Sequence, residues 1–261
     1  LSIYKHLDGK CTHNFTVGIE DDVTNLSLPV DEIIVTEPAG TTSCMFWGLG
    51  SDGTVGANKN SIQLIGENTD LFVQGYFQYD SRKSGGYTIS HLRFGKTPIR
   101  SAYLVECPNF VACHNPSYLN RYDMLSGIRA NGTFLLNCPW TDFEACNRYL
   151  PPAYKQIIAK KHLRFFVIDG TKIAGEAGLP GKHSTVMQAA FFLLHPHILP
   201  YERALQLLEN TLRRKFSTKG DEVINANLTA ISKVPDALKE INYTGDLTLE
   251  ADAYLPKYYN T

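Results

Sequence analysis

From Thr42 onward, short apolar runs alternate with stretches whose apolar residues recur every three or four positions. The run CMFWGLG (44–50) predicts a buried strand. TVGANKNSIQLIGENT (54–69) predicts a helix carrying Val55, Ile62 and Ile65. DLFVQGYFQYD and the alternating YTISHLRFG predict the next two strands, and SAYLVE and NFVACHN two further buried ones. SYLNRYDMLSGIRANG sets Leu119, Tyr122, Leu125 and Ile128 at helical spacing and stops at Asn131-Gly132, so a helix is expected there. TFLLNC and LRFFVIDG read as strands flanking a helix interrupted by Pro151-Pro152. The last third is helical. STVMQAAFFLLHPHIL is apolar nearly throughout, YERALQLLENTLRRKF carries Leu205, Leu208, Leu212 and Phe216 on one stripe, and DEVINANLTAISKV follows.

Strands alternating with helices imply an α/β fold, a Rossmann-like, mainly parallel sheet covered by helices on both faces, with a helical C-terminal part. The first 40 residues break into short strand-like pieces (FTVGI, DDVTN, EIIVTEPAGTT) and predict an extended arm. The expected organisation is therefore an arm or linker from a preceding domain over 1–40, one α/β domain over 41–245, and a linker onward over 246–261. The chain begins with Leu and ends in KYYNT, and reads as a piece of something longer.

Composition narrows the classes of function. Apolar residues make up 43% and charged residues 20%, with a net charge of −1, so nothing draws the whole molecule to nucleic acid or an anionic membrane. No apolar run approaches the length of a membrane span. The six cysteines form no C-x-x-C, and several sit inside apolar runs such as LVECPNFVACHN. They are expected to be reduced core thiols in a reducing compartment, and they offer no iron–sulfur or structural zinc site. The N-x-S/T matches at Asn14, Asn25, Asn131, Asn227 and Asn242 are expected to be background in an Asn- and Thr-rich sequence.

The chemistry concentrates after the first long strand. In FWGLGSDGTVGANKN, Gly48, Gly50 and Gly53 fit G-x-G-x-x-G between an apolar strand and a helix start. Backbone amides of such a loop and the positive end of the helix form an anion site. Three readings stand: a dinucleotide fingerprint, another phosphate cradle, or a tight turn without ligand. Asp52 argues against NAD, since a pyrophosphate would repel it unless it points away or caps the helix. The loop YDSRKSGG offers Asp80 for ribose hydroxyls, yet Arg82, Lys83 and Ser84 make it a donor-rich loop better suited to phosphates.

Smaller features follow. GKHSTV brings Lys182, His183, Ser184 and Thr185 to a helix start, as an anion site or as helix capping. Asn137 and His114-Asn115 lie at carboxyl ends of strands, facing the crevice of a parallel sheet. His195-Pro-His197 lacks a carboxylate or Cys to complete a metal site, and no metal is expected. Arg213-Arg214-Lys215 reads as the wet face of an amphipathic helix. No G-x-S-x-G or H-E-x-x-H occurs, so nucleophilic and zinc hydrolysis have no support and no catalytic residue is assigned.

Taken together, FWGLGSDGTVGANKNSI, QGYFQYDSRKSGGYTISHLRFG, FVACHN, GTFLLN and MQAAFF resemble the pyruvate:ferredoxin (flavodoxin) oxidoreductases, specifically the domain equivalent to the gamma subunit of 2-oxoacid:acceptor oxidoreductases. The arm FTVGIEDDVTNLSL is similar to the segment that precedes this domain. The resemblance implies a parent enzyme that decarboxylates pyruvate on thiamine diphosphate, passes electrons through four-iron, four-sulfur clusters to ferredoxin or flavodoxin, and transfers the acetyl group to coenzyme A. Thiamine diphosphate and clusters belong to other domains or subunits of that enzyme, a homodimer of the cytoplasm or of a reducing organelle in an anaerobic eukaryote. This domain, inactive alone, is implied to bind and position coenzyme A. The matching motifs carry that role onto Gly50, Ser51, Asp52, Gly53, Thr54, Lys83 and Ser84, with Asn137 and Lys182 beside them. One departure stands out: the family pattern G-N-R-I-N-T reads here with Lys182 in the arginine's place and Ser184 in the asparagine's, which keeps the charge and loses the bidentate fork. Two rival expectations remain, an NAD(P)-binding Rossmann-type oxidoreductase and a ligand-free structural domain of the multidomain enzyme.

Overall fold

The computed structural model describes residues 3–4, 13–19, 21–30, 35–81, 85–217 and 220–243. Two compact units divide the chain between Glu37 and Pro38. In the first, strands β1 (Thr16–Val17) and β2 (Ser27–Leu28) pair in parallel. The Asp22 carboxylate holds the turn between them by accepting from the hydroxyl and amide of Thr24 and from the amide of Ser27.

The second unit begins with β3 (Thr42–Leu49), α1 (Thr54–Asn68), β4 (Phe72–Tyr79), β5 (Tyr87–Gly95) and β6 (Phe110–Cys113). A 3-10 turn (Pro116–Asn120) leads to β7 (Thr133–Asn137), α2 (Phe143–Tyr149), α3 (Pro152–Lys160), β8 (Arg164–Ile168) and α4 (Gly170–Glu176). The remainder is α5 (Ser184–Leu194), α6 (Tyr201–Lys215), α7 (Asp221–Ser232), α8 (Val234–Ala237) and the short β9 (Lys239–Glu240). The sheet order is β4-β5-β3-β6-β7-β8-β9. Its centre, β3, β6, β7 and β8, is parallel, as the alternation of strands and helices leads one to expect. The edges are antiparallel: β5 returns from β4 as a hairpin and inserts beside β3, and β9 pairs with β8.

Side chains alternate across the central strands, so each strand feeds two layers. Phe46, Ala112, Leu135 and Phe166 face α1, α5, α6 and α7, where they meet Ile65, Phe191, Phe192 and Leu208. Trp47, Val111, Leu136 and Val167 face the other side, packing with Leu119, Leu125, Cys146 and Tyr154. Both faces are therefore buried, and each fully buried large apolar side chain stabilises the fold by about 1.5–3 kcal/mol. Phe191 anchors the first layer, its ring centroid 5.3 Å from Phe46 and 5.5 Å from Phe110.

Two segments depart from the sequence pattern. SAYLVE is no strand, because side chains of the neighbouring hairpin capture its backbone. The Arg93 guanidinium donates to the carbonyls of Tyr103 and Leu104, and the amide of Val105 donates to Nδ1 of His91. The stretch 116–131 is a 3-10 turn followed by irregular chain, not an α-helix. Local polar groups compete with helical bonding there. Asn115 accepts from the amide of Ser117, Asp123 from those of Leu125 and Ser126, and Lys161 donates to the carbonyls of Ser126 and Ile128. The apolar spacing still does its work, since Leu119, Leu125 and Ile128 are buried.

His195, after α5, is a core residue. Its Nδ1 lies 2.9 Å from the carbonyl of Phe191 and its ring packs on Phe191 and Phe110. Burial pushes its pKa down to about 4. The folded protein thus keeps His195 neutral where the unfolded chain binds a proton, so this contribution is present above about pH 6.5 and lost as pH falls toward about 4. Urea unfolding across that range should show stability dropping with pH, and His195→Gln should flatten the drop. An unchanged slope would remove His195 from the acid response.

Candidate functional site

Strand β3 lies at the point where the sheet changes direction. After β3 the chain runs through α1 toward β4 on one side, and after β6 it runs toward β7 on the other. Such a divergence opens a crevice at the carboxyl ends of the two strands, where ligands of α/β proteins bind. The glycine loop and His114 sit there.

The loop is built around Asp52. Its Oδ2 accepts from the amide of Leu49 at 2.9 Å and its Oδ1 from the amide of Thr54 at 2.7 Å, tying strand end to helix start. Gly53, at the N-cap position, is left-handed (φ 94°), and a Cβ there would lie 2.6 Å from Oγ of Ser184. Ser51 is also left-handed (φ 74°), so the chain turns sharply twice within three residues. Strain of this kind collects at ligand clamps. The helix-capping expectation for Asp52 takes a specific form here, with the carboxylate reaching the first helical amide from one residue before the cap. Gly50 donates its amide to the carbonyl of Gly86 at 2.8 Å, which joins the glycine loop to the hairpin loop.

Behind the loop, Oγ1 of the buried Thr54 is 3.0 Å from Nδ1 of His114. Burial holds His114 down to about 4, outweighing the favourable charge of Asp52, with His183 adding to the depression. His183, just before α5, has its ring centroid 6.0 Å from that of His114. Its pKa is also lowered, by burial, against the pull of Asp52 and of the His114 carbonyl. Asn137 braces the same corner. Its Nδ2 donates to the His114 carbonyl and to Oγ1 of Thr171, and its Oδ1 accepts from the amide of Gly170.

Two cavities flank the loop. The larger, about 740 Å³, lies between the N-terminal turns of α1 and α5 and the C-terminal part of α6. Lys59, Lys182, Arg214 and Lys215 line it, and Asp52 is the single carboxylate among its described lining residues. The positive ends of two helices therefore meet four cations around one space. Gln188 locks those helices together, its Nε2 within 3.0 Å of the Ala57 carbonyl, Oδ1 of Asn60 and Oγ of Ser61. The smaller cavity, about 420 Å³, lies on the other side of the loop, against Asp80, Gly85 and Gly86.

Residues 43–236 match the family model described as pyruvate ferredoxin/flavodoxin oxidoreductase. The chain belongs to this family. The pyruvate:ferredoxin oxidoreductase of Moorella thermoacetica is 51% identical over 231 residues, 88% of this chain and 20% of that protein. The pyruvate dehydrogenase [NADP(+)] of Cryptosporidium parvum is 46% identical over 88% of this chain and 12% of its own length. The chain thus spans about a fifth or less of these two relatives. Among solved structures, the PORC subunit of Thermotoga maritima pyruvate oxidoreductase matches 77% of this chain and 98% of its own, with TM-score 0.60 and 22% identity. A 2-oxoglutarate:ferredoxin oxidoreductase from Magnetococcus marinus, with 2-oxoglutarate, coenzyme A and succinyl-CoA bound, matches 76% of this chain and 31% of its own at TM-score 0.57 and 18% identity. At these identities both show a shared α/β fold, that of the PORC subunit in the first case.

Against the oxidoreductase family motifs, the expected residues fall in three places. Gly50, Ser51, Asp52 and Gly53 line the smaller cavity, and Asp52 and Gly53 also line the larger, where they join Lys182. Thr54 is buried beneath the loop, and Asn137 spends its side chain inside the protein, away from both cavities. Lys83 and Ser84 lie outside the described residues. Arg214 and Lys215 are exposed, as the amphipathic pattern implies, yet the fold turns them toward the larger cavity. His195 and His197 form no part of this corner.

Asn137→Ala should destabilise the fold, because a buried amide or carbonyl left unpaired costs about 1–3 kcal/mol each. Chemical denaturation reads this directly. A loss under about 0.5 kcal/mol would mean the brace is dispensable.

Proposed function

We propose that this chain is the coenzyme A-binding domain of a pyruvate:ferredoxin oxidoreductase, holding the acyl acceptor by its phosphates and supplying no catalytic group itself. The observation that carries this reading is the 740 Å³ cavity with two helix N-termini and four cationic side chains on its walls. Coenzyme A carries a pyrophosphate and a 3′-phosphate, so it needs backbone amides and cations in one place, together with apolar wall for its pantetheine arm. Leu208, Leu212 and Phe216 line the same cavity and provide that wall. The coenzyme A bound in the Magnetococcus marinus relative by fold adds support.

In this reading oxidative decarboxylation belongs to a larger parent. Thiamine diphosphate and the iron–sulfur clusters sit in its other domains or subunits, ferredoxin or flavodoxin accepts the electrons, and the parent is a homodimer in the cytoplasm or a reducing organelle. No described helix is long and apolar enough to cross a membrane. A second reading, dinucleotide binding, rests on Asp80 sharing the smaller cavity with the glycine loop. A fluorescence titration with NADH separates the two.

Isothermal titration should show coenzyme A binding to the chain or its parent, with dephospho-coenzyme A weaker and pantetheine weaker still. Lys182→Ala should weaken binding about threefold to tenfold, the scale of one exposed charge-assisted contact. Equal affinity for all three ligands, or no binding at about 1 mM, would overturn the role.

A further inference from the structure

His114, His183 and Asp52 come from three distant segments, and each offers one ligand atom within 4.8 Å of the other two. Nε2 of His114 is sealed from solvent and has no hydrogen-bond partner among the described residues. Both ring nitrogens of His183 are shielded from solvent and, apart from the electrostatic pull of the His114 carbonyl, meet no acceptor or donor in good hydrogen-bonding geometry among the described residues. A buried polar atom without a partner is costly, so three such nitrogens in one corner call for a ligand. Asp52 spends one lone pair of each oxygen on an amide and keeps the others.

We infer that Asp52, His114 and His183 form a binding site for a divalent transition-metal ion of the zinc type, independent of coenzyme A. Two imidazole nitrogens and one carboxylate oxygen suit Zn²⁺, Co²⁺ or Fe²⁺ and leave coordination positions for water, whereas Mg²⁺ and Ca²⁺ prefer all-oxygen sets. The surroundings fit a ligating histidine. Thr54 Oγ1 sits opposite Nδ1 of His114, so with the proton on Nδ1 the free Nε2 carries its lone pair, the outer bond that orients metal-bound imidazoles. Zinc bonds of about 2.0–2.2 Å set neighbouring donors roughly 3.3 Å apart, so atoms that lie within 4.8 Å of one another must draw together by at most about 1.5 Å. His183 supplies that movement. It precedes α5 and is held only by the weak pull of the His114 carbonyl, while Thr54 and the two amides fix the other ligands. Asp52 borders both cavities, which gives the ion a path in.

The test uses the chain stripped with a chelator, dialysed, and titrated with Zn²⁺ and with Co²⁺. One equivalent should bind by isothermal titration, Co²⁺ should develop d–d absorption that Zn²⁺ quenches, and Zn²⁺ should raise the melting temperature. His183→Asn, with its fold checked by circular dichroism and its melting temperature, should weaken binding by at least about tenfold. Thr54→Val should weaken it by about 10–100-fold, the usual effect of losing an outer-shell partner. His197→Asn, at an exposed histidine outside the site, should change nothing. The inference is overturned by no saturable binding at about 100 µM metal, or by binding that survives His183→Asn or disappears in His197→Asn.

Discussion

Two backbone amides, from the end of a strand and the start of a helix, converge on the single carboxylate of Asp52. Everything around the crevice follows from that convergence. It sets the direction of α1, forces left-handed backbone at Ser51 and Gly53, and brings Thr54 under the loop against His114. A carboxylate inside a loop proposed to bind phosphate looks perverse from the sequence, because like charges repel. Its two amide bonds resolve the conflict, since charge-assisted hydrogen bonds from the backbone disperse the negative charge into the loop that carries it.

The fold was readable wherever apolar period and length agreed. Both sheet layers and the helices α1, α5, α6 and α7 follow from runs and stripes that no other structure could bury. The reading failed where side chains bonded to backbone across long sequence separations. Arg93 and His91 hold the segment 103–105 out of the sheet, a bond pattern that no propensity encodes. Asp123 and Lys161 unmake the helix that the spacing of Leu119, Leu125 and Ile128 predicts. The short β9 and α4 carried too few residues for a periodic signal.

The site was partly readable for the same reason. Its glycine loop is contiguous and therefore visible, while its cations come from α1, the loop before α5, and α6. Arg214 and Lys215 obey the helical stripe and still reach the cavity, because the stripe fixes which residues avoid the core and not what stands opposite. The histidines are harder still. His114 and His183 meet only through a sheet end and a helix start, whereas His195 and His197, close in sequence, are a core ring and a surface neighbour.

Gln188 makes three contacts into α1 from the middle of α5. Two helices joined in this way cannot reorient separately, so their positive ends act as one rigid electrostatic unit. An anion entering between them meets dipoles already aligned during folding, and little reorganisation opposes its binding. In the proposed role, a ligand held between these helices would pull on both of them, and on the sheet layer beneath, together. Any motion that carries such a ligand toward a distant reaction centre must then be a movement of the whole unit, hinged outside it rather than within.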